Sequence, residues 1–168
     1  MNALIVDDEF AGRKALIGLL RDFCPEVTIC GEAESAAEAR SLIHSKPLNI
    51  VFLDIHLQGE SGFDLIESIP TPRKTFETIF VSGYDHYLKQ AVGMGALGFM
   101  TKPIDVDELQ FLVQKAQKKL IDTASTATKF QINNSIDRTH DDLCKITTAH
   151  GFRWLKTSNI LYCEAHGN

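Results

Sequence analysis

Five short apolar runs recur in the first part of the chain: Ala3-Leu4-Ile5-Val6, Val27-Thr28-Ile29-Cys30, Ile50-Val51-Phe52-Leu53, Ile79-Phe80-Val81 and Ala96-Leu97-Gly98-Phe99-Met100. Each is rich in β-branched or bulky residues and apolar at successive positions, so a strand built from it has no face for water. Strands of that kind belong in a parallel sheet covered on both sides. The intervening segments read as amphipathic helices. Ser35-Ala36-Ala37-Glu38 is a capping box that opens a helix to about Ser45. Asp105 caps another, with Glu108 at the third helical position. Leu109, Leu112, Val113, Ala116 and Leu120 then follow at helical spacing, and Lys115, Lys118 and Lys119 lie near its end, where the helix dipole favours cations. Five strand–helix repeats predict an α/β fold with a doubly wound, five-stranded parallel sheet and right-handed crossovers. Ligands of such sheets bind beyond the carboxyl ends of the strands.

From Asp122 to about Asp142 the periodicity stops, and Asp122-Thr123-Ala124-Ser125-Thr126-Ala127-Thr128 reads as a linker. Beyond it, Leu143–Thr148 and Phe152–Leu155, separated by Ala149-His150-Gly151, suggest a β-hairpin. Ile160-Leu161-Tyr162-Cys163 suggests a further strand. This divides the chain into residues 1–121, a linker over 122–142 and a short β-rich fragment, 143–168, too small to bury much core by itself.

The charge balance narrows the function classes. Residues 1–121 carry 17 acids and 12 bases, and residues 122–168 carry 5 of each, giving the net −5 of the chain. Neither part has the basic surplus of a nucleic-acid-binding surface. Cys24, Cys30, Cys144 and Cys163 make no C-x-x-C pair or zinc spacing, and free thiols in a reducing compartment are expected. No apolar run approaches the roughly 20 residues of a membrane span, and the opening MNALIVDDEF puts acids where a secretion signal has a basic flank. A cytoplasmic protein without membrane contact is the expectation.

Polar residues follow the apolar runs in a pattern. Asp7 and Asp8 follow the first run, Asp54 the third, Ser82 the fourth, and Lys102-Pro103 the fifth. In a parallel sheet these ends share one edge, so three carboxylates, a hydroxyl and an ammonium converge. Three carboxylates cannot stay ionised together without compensation, and Mg2+ with oxygen ligands supplies it. A carboxylate can attack phosphorus to give an aspartyl phosphate. The transferred group then needs positive charge and donors around its oxygens, which Mg2+, Lys102 and Ser82 provide. A cis bond at Pro103 would aim Lys102 into the site.

The set Val6-Asp7-Asp8-Glu9, Phe52-Leu53-Asp54-Ile55, Val81-Ser82-Gly83 and Lys102-Pro103 resembles the receiver domain of bacterial two-component response regulators, over residues 1–121. The resemblance implies a flavodoxin-like fold. It implies Asp54 as phosphoacceptor, with Mg2+ held by Asp8, Asp54 and the His56 backbone carbonyl, and by Asp7 through water. Lys102 and Ser82 would contact the phosphoryl group, with Ser82 also a switch residue beside Phe99 and Pro103. The implied partner is a sensor histidine kinase. The loop Ile55-His56-Leu57-Gln58-Gly59 departs from the pattern by lacking the proline many relatives have. The segment from Ile146 to Asn168 resembles the opening of a LytTR-type DNA-binding domain, which implies a transcriptional output on promoter DNA for the complete protein. This chain would be a shortened form, with most of the DNA-contacting part absent.

Alternatives stand beside this reading. Taken singly, Asp7 and Asp8 are acids opening a helix, Ser82 is a turn residue, Lys102 a solvated charge, Phe99 a core ring and His56 a loop side chain. His56 could instead line the phosphate mouth. A receiver acting only through protein contact, without DNA binding, would leave the β-rich tail unexplained. An aspartate-nucleophile phosphohydrolase would carry a second aspartate where His56 stands. The expectation is therefore a switch that assists its own phosphorylation and dephosphorylation and is not a turnover enzyme. The face from Asp85 to Thr101, with the helix from Asp105, mixes Lys89, Lys115 and Lys118 with Asp107 and Glu108, and suits a phosphorylation-promoted homodimer.

Overall fold

A computed structural model describes residues 1–70, 74–133, 143–148 and 151–156. The chain divides into two units, Met1–Ala124 and Ser125–Asn168. In chain order the elements are β1 (Asn2–Val6), α1 (Phe10–Phe23), β2 (Thr28–Ala33), α2 (Ala36–Ser45), β3 (Ile50–Asp54), the two-residue strands β4 (His56–Leu57) and β5 (Glu60–Ser61), α3 (Gly62–Ser68), β6 (Glu77–Ser82), α4 (Leu88–Gly93) after a 3-10 turn at Asp85–Tyr87, β7 (Gly98–Thr101), α5 (Val106–Asn133), β8 (Leu143–Thr148) and β9 (Gly151–Lys156).

The main sheet has the order β2-β1-β3-β6-β7, and every neighbouring pair is parallel. This is the doubly wound, flavodoxin-like arrangement expected. The apolar runs explain it residue by residue. Ala3, Ile5, Ile50, Phe52, Ile79 and Val81 pack with Leu16, Ile17 and Leu20 of α1 and Leu109, Leu112, Val113 and Ala116 of α5. Their alternates Leu4, Val6, Val51, Leu53 and Phe80 pack with Ala39 and Ile43 of α2, Phe63, Leu65 and Ile66 of α3, and Ala91 of α4. A period of two thus feeds two cores, one on each face. Phe52 and Phe80 are essentially inaccessible to solvent; a buried phenylalanine of this kind contributes about 3–5 kcal/mol against alanine.

Helix starts follow the capping signals. The Glu38 amide donates to Ser35 Oγ at 3.3 Å, although the Glu38 carboxylate reaches the Glu34 amide. The Glu108 amide donates to Asp105 Oδ1 at 2.9 Å, and Ser61 with Asp64 completes a capping box at α3.

Two segments differ from the sequence reading. Strand β2 runs to Ala33, beyond the apolar stretch, because as an edge strand it pairs with β1 alone and needs no apolar residue at every position. Helix α5 does not stop near residue 121; its backbone is helical to Asn133. The segment read as the start of a linker has neither glycine nor proline, and its alanines favour the helix. In the second unit, β8 and β9 form the expected antiparallel hairpin, with Leu143 opposite Lys156 and Thr148 opposite Gly151. The strand expected at Ile160–Cys163 and most of the linker's second half lie outside the described residues.

Candidate functional site

The site is built by strand ends. Pairing of β1 with β3 brings Val6 beside Leu53, so Asp7 leaves β1 next to Asp54, the last residue of β3. Asp54 lies opposite Val81, which puts Ser82 one step further along β6. Ser82 pairs with Thr101, and the Lys102 amide donates to the Ser82 carbonyl at 2.7 Å. The Lys102–Pro103 peptide is cis, as the sequence reading anticipated.

Asp7, Asp8 and Asp54 each place a carboxylate oxygen within 4.8 Å of the others. Asp7 and Asp54 are buried and Asp8 is half-buried. Lys102 Nζ lies between the buried pair, donating to Asp7 Oδ2 at 2.8 Å and to Asp54 Oδ2 at 2.6 Å. The other oxygens are held by the backbone: Asp7 Oδ1 accepts the Glu9 amide at 2.8 Å and Asp54 Oδ1 accepts the His56 amide at 3.0 Å. Burial pulls the Lys102 ammonium down, but its hydrogen bonds to Asp54 and Asp7, and their charges, outweigh that and hold it well above the ordinary lysine range. The Glu9 carboxylate lies 3.7 Å from the same ammonium, so among the described residues the carboxylates here outnumber the cation that bridges them. Hard oxygen donors with surplus negative charge fit a divalent ion such as Mg2+. A depression of about 560 Å³, lined by Asp8, Glu9, Asp54, His56, Gly83, Tyr84 and Lys102, gives access.

Not every expected residue points into this depression. Ser82 is fully buried, and its Oγ accepts the Tyr84 amide at 3.3 Å. Phe99 is half-buried on the α2–α3–α4 side of the sheet, packed against that core. Pro103 is exposed beside Lys102. The loop after Asp54 forms the β4–β5 hairpin, with Gly59 at φ +80° making its turn. His56 is exposed there, at the edge of a ring cluster with Tyr84 and Tyr87, and Tyr87 Oη lies 3.3 Å from its Nε2.

Sequence reasoning missed several residues that shape the site. Gly62 begins α3 against the Asp54 carbonyl; a Cβ there would lie 2.3 Å from that oxygen. Gly12 of α1 packs so close to Asp7 that a Cβ would lie 2.5 Å from Oδ2. Arg13 is buried beneath Asp7, and its Nη1 donates to the Asp7 carbonyl at 2.6 Å. A signal for Arg13 did exist. It occupies the first position of the buried stripe Arg13, Leu16, Ile17, Leu20.

Comparison with known proteins decides the family, because residues 3–114 match the response regulator receiver domain. The chain belongs to that family. The receiver is 37% identical over 120 residues to the sensory transduction protein LytT of Enterococcus faecalis, covering 71% of this chain and 49% of that protein. The transcriptional regulatory protein LytR of Staphylococcus aureus is 29% identical over 168 residues, covering 99% of this chain and 66% of that protein. Among solved structures, a response regulator receiver protein from Pseudomonas putida superposes with a TM-score of 0.60 at 33% identity, covering 68% of this chain and 95% of that one. The chain spans about half the length of the LytT proteins it matches. Among the described residues, no helix is long and apolar enough to cross a membrane.

Proposed function

We propose that the chain is the phosphorylation-dependent receiver of a two-component response regulator, with Asp54 as phosphoacceptor. The observation that carries this reading is the cluster of Asp7, Asp8 and Asp54 at the sheet's carboxyl edge, with Lys102 bridging Asp7 and Asp54. An Asp54 carboxylate oxygen attacks phosphorus of a phosphohistidine on a sensor histidine kinase. The P–N bond breaks, its electron pair stays with the imidazole, which takes up a proton, and an acyl phosphate forms. Mg2+, when bound, neutralises charge on the transferred group and on the carboxylates. Asp8, Asp54 and the His56 carbonyl would hold it directly, and Asp7 through water.

Lys102 then exchanges its bond to Asp54 Oδ2 for one to a phosphoryl oxygen. The Ser82 hydroxyl turns from the Tyr84 amide toward the phosphoryl group. Phe99 follows into the space Ser82 leaves, with Pro103 bounding the moving loop. Such a ring movement is a discrete two-state element, which a population shift requires. The protein assists its own phosphorylation and hydrolysis and is not a turnover enzyme. Its output is a LytTR-type DNA-binding domain, with residues 1–121 the receiver, 122–142 the connection and 143–168 the opening strands of that domain. The names of the relatives and the alignment of LytR along nearly the whole chain support this. Phosphorylation promotes a homodimer through the α4–β7–α5 face, where Leu88, Val92 and Phe111 are exposed. The setting is the cytoplasm.

Intact mass of the chain after incubation with Mg2+ and acetyl phosphate tests the reading. One added phosphoryl group is expected, absent from Asp54→Asn and absent without Mg2+. An adduct that persists in Asp54→Asn would refute the assignment of the acceptor.

A further inference from the structure

Among the described residues, Arg13 is the one basic side chain that is buried, at 7% exposure. An arginine is costly to remove from water unless its charge and donors are met. Its Nη1 makes the 2.6 Å bond to the Asp7 carbonyl. Its Nε and Nη2 lie 3.7 Å from Glu32 and Glu34, and Nε has no hydrogen-bond partner. The short charge-assisted bond to the carbonyl is thus its principal anchor.

That carbonyl belongs to the peptide joining Asp7 to Asp8. The last ladder pair of β1 is Val6 with Ala33, and the Asp7 amide still donates to the Ala33 carbonyl at 3.1 Å. The Asp7 carbonyl is the first group past the ladder, and Arg13 takes the place of a strand partner. Since a peptide is planar, fixing its oxygen fixes the direction in which the chain enters Asp8. The charge of Arg13 is already met. Arg13 and Lys14 face Glu32 and Glu34, and Lys14 Nζ lies 2.9 Å from Glu32.

We infer that Arg13 is a positioning residue for the divalent cation, acting through the Asp7 carbonyl to aim the Asp8 carboxylate. The inference rests on the reading that the acidic site holds Mg2+. Its test exploits two opposed effects. Without Arg13, the uncancelled charge of Glu32 and Glu34 would tighten Mg2+ binding, whereas a misdirected Asp8 would weaken it.

Calorimetric titration of Mg2+ into the full chain, Arg13→Met, Arg13→Gln and Arg13→Lys separates these. Methionine keeps the packed stem and removes the donors; glutamine reads the same quantity should the methionine form fold poorly. Loss of an orienting partner behind a metal ligand typically costs 10–100-fold in affinity. About tenfold weaker binding is expected for Arg13→Met and Arg13→Gln, with most of the loss recovered in Arg13→Lys. Acetyl phosphate labelling of Arg13→Met should recover as Mg2+ is raised, which a general loss of folding would not allow. Binding as tight as the parent's, or tighter, in Arg13→Met and Arg13→Gln overturns the inference while leaving the receiver reading intact. Failure of the parent itself to bind Mg2+ overturns both.

Discussion

Replacing Lys102 by methionine removes, among the described residues, the one cation hydrogen-bonded to the Asp7 and Asp54 carboxylates, at 2.8 and 2.6 Å. Methionine keeps most of the stem and none of the charge. Removing one partner from a fully buried ion pair costs about 3–5 kcal/mol. The Lys102 side chain is 25% exposed, and the two carboxylates are 8% and 7% exposed. Water and salt reach the ammonium through the mouth, so the expected cost is discounted to about 2–3 kcal/mol. For a unit of this size each kcal/mol moves the midpoint by roughly 3–5 °C, giving a drop of roughly 6–15 °C in EDTA. The folded-state pKa of Lys102 lies above its unfolded value, so its contribution is fully present below the ordinary lysine pKa. It is lost only as pH rises through the folded value, in strong alkali. The penalty should therefore stay flat across neutral pH. Saturating Mg2+ should stabilise the variant more than the parent, because the ion replaces the missing charge. Thermal and urea unfolding by far-UV circular dichroism suits the measurement, since the sole tryptophan, Trp154, lies in β9 of the other unit. A variant as stable as the parent in EDTA would refute the reasoning, for it would mean that the carboxylates do not repel one another in the folded chain.

Other substitutions test other parts of the account. Gly62→Ala drives a methyl group against the Asp54 carbonyl; a loss of about 1–3 kcal/mol in urea unfolding and slower acetyl phosphate labelling are expected together. Phe52→Ala, in the core beneath α1 and α5, should cost about 3–5 kcal/mol while leaving labelling of the folded fraction unchanged. Ser61→Ala removes the α3 cap and should cost about 1 kcal/mol, measured as a shift in the urea midpoint with an unchanged slope. Tyr87→Phe keeps the ring and deletes a hydroxyl that, among the described residues, meets exposed His56 alone, so stability should move by less than about 0.5 kcal/mol; a larger drop would show that the hydroxyl's bond to His56 is structural.

How much of this was legible in the sequence follows from what kind of information each feature needs. The sheet was legible because its residues are apolar at successive positions, a local property. Asp7, Asp8, Asp54 and Lys102 were legible because each directly follows such a run, so strand order alone brings them together. Arg13 escaped because a charged residue on a helix is ordinarily assigned to solvent; its burial depends on the Asp7 carbonyl, on Glu32 of β2 and on Glu34 just beyond it. Gly62 and Gly12 escaped for a similar reason. Their need for a missing Cβ arises from a neighbour's oxygen, which no local pattern reports. The continuation of α5 past residue 121 was hidden by the loss of apolar periodicity, although a helix ends at a stop signal and none is present there.

The two cores fed by alternate residues have a consequence for folding fidelity. In a sheet with one wet face, a one-residue slip exposes the apolar set and is rejected at once. Here both faces of β1, β3 and β6 are apolar, so a slipped strand would merely exchange partners between two oily layers. What distinguishes the correct alignment is punctuation at the strand ends. A slip of β3 by one residue would draw the Asp54 carboxylate between layers or push Leu53 into water, and the same holds for β1 with Asp7. The residues that carry the chemistry thus also act as end-stops for the sheet. Neutralising Asp7 or Asp54 would leave the native arrangement nearly as comfortable as before, yet make the misaligned ones less costly.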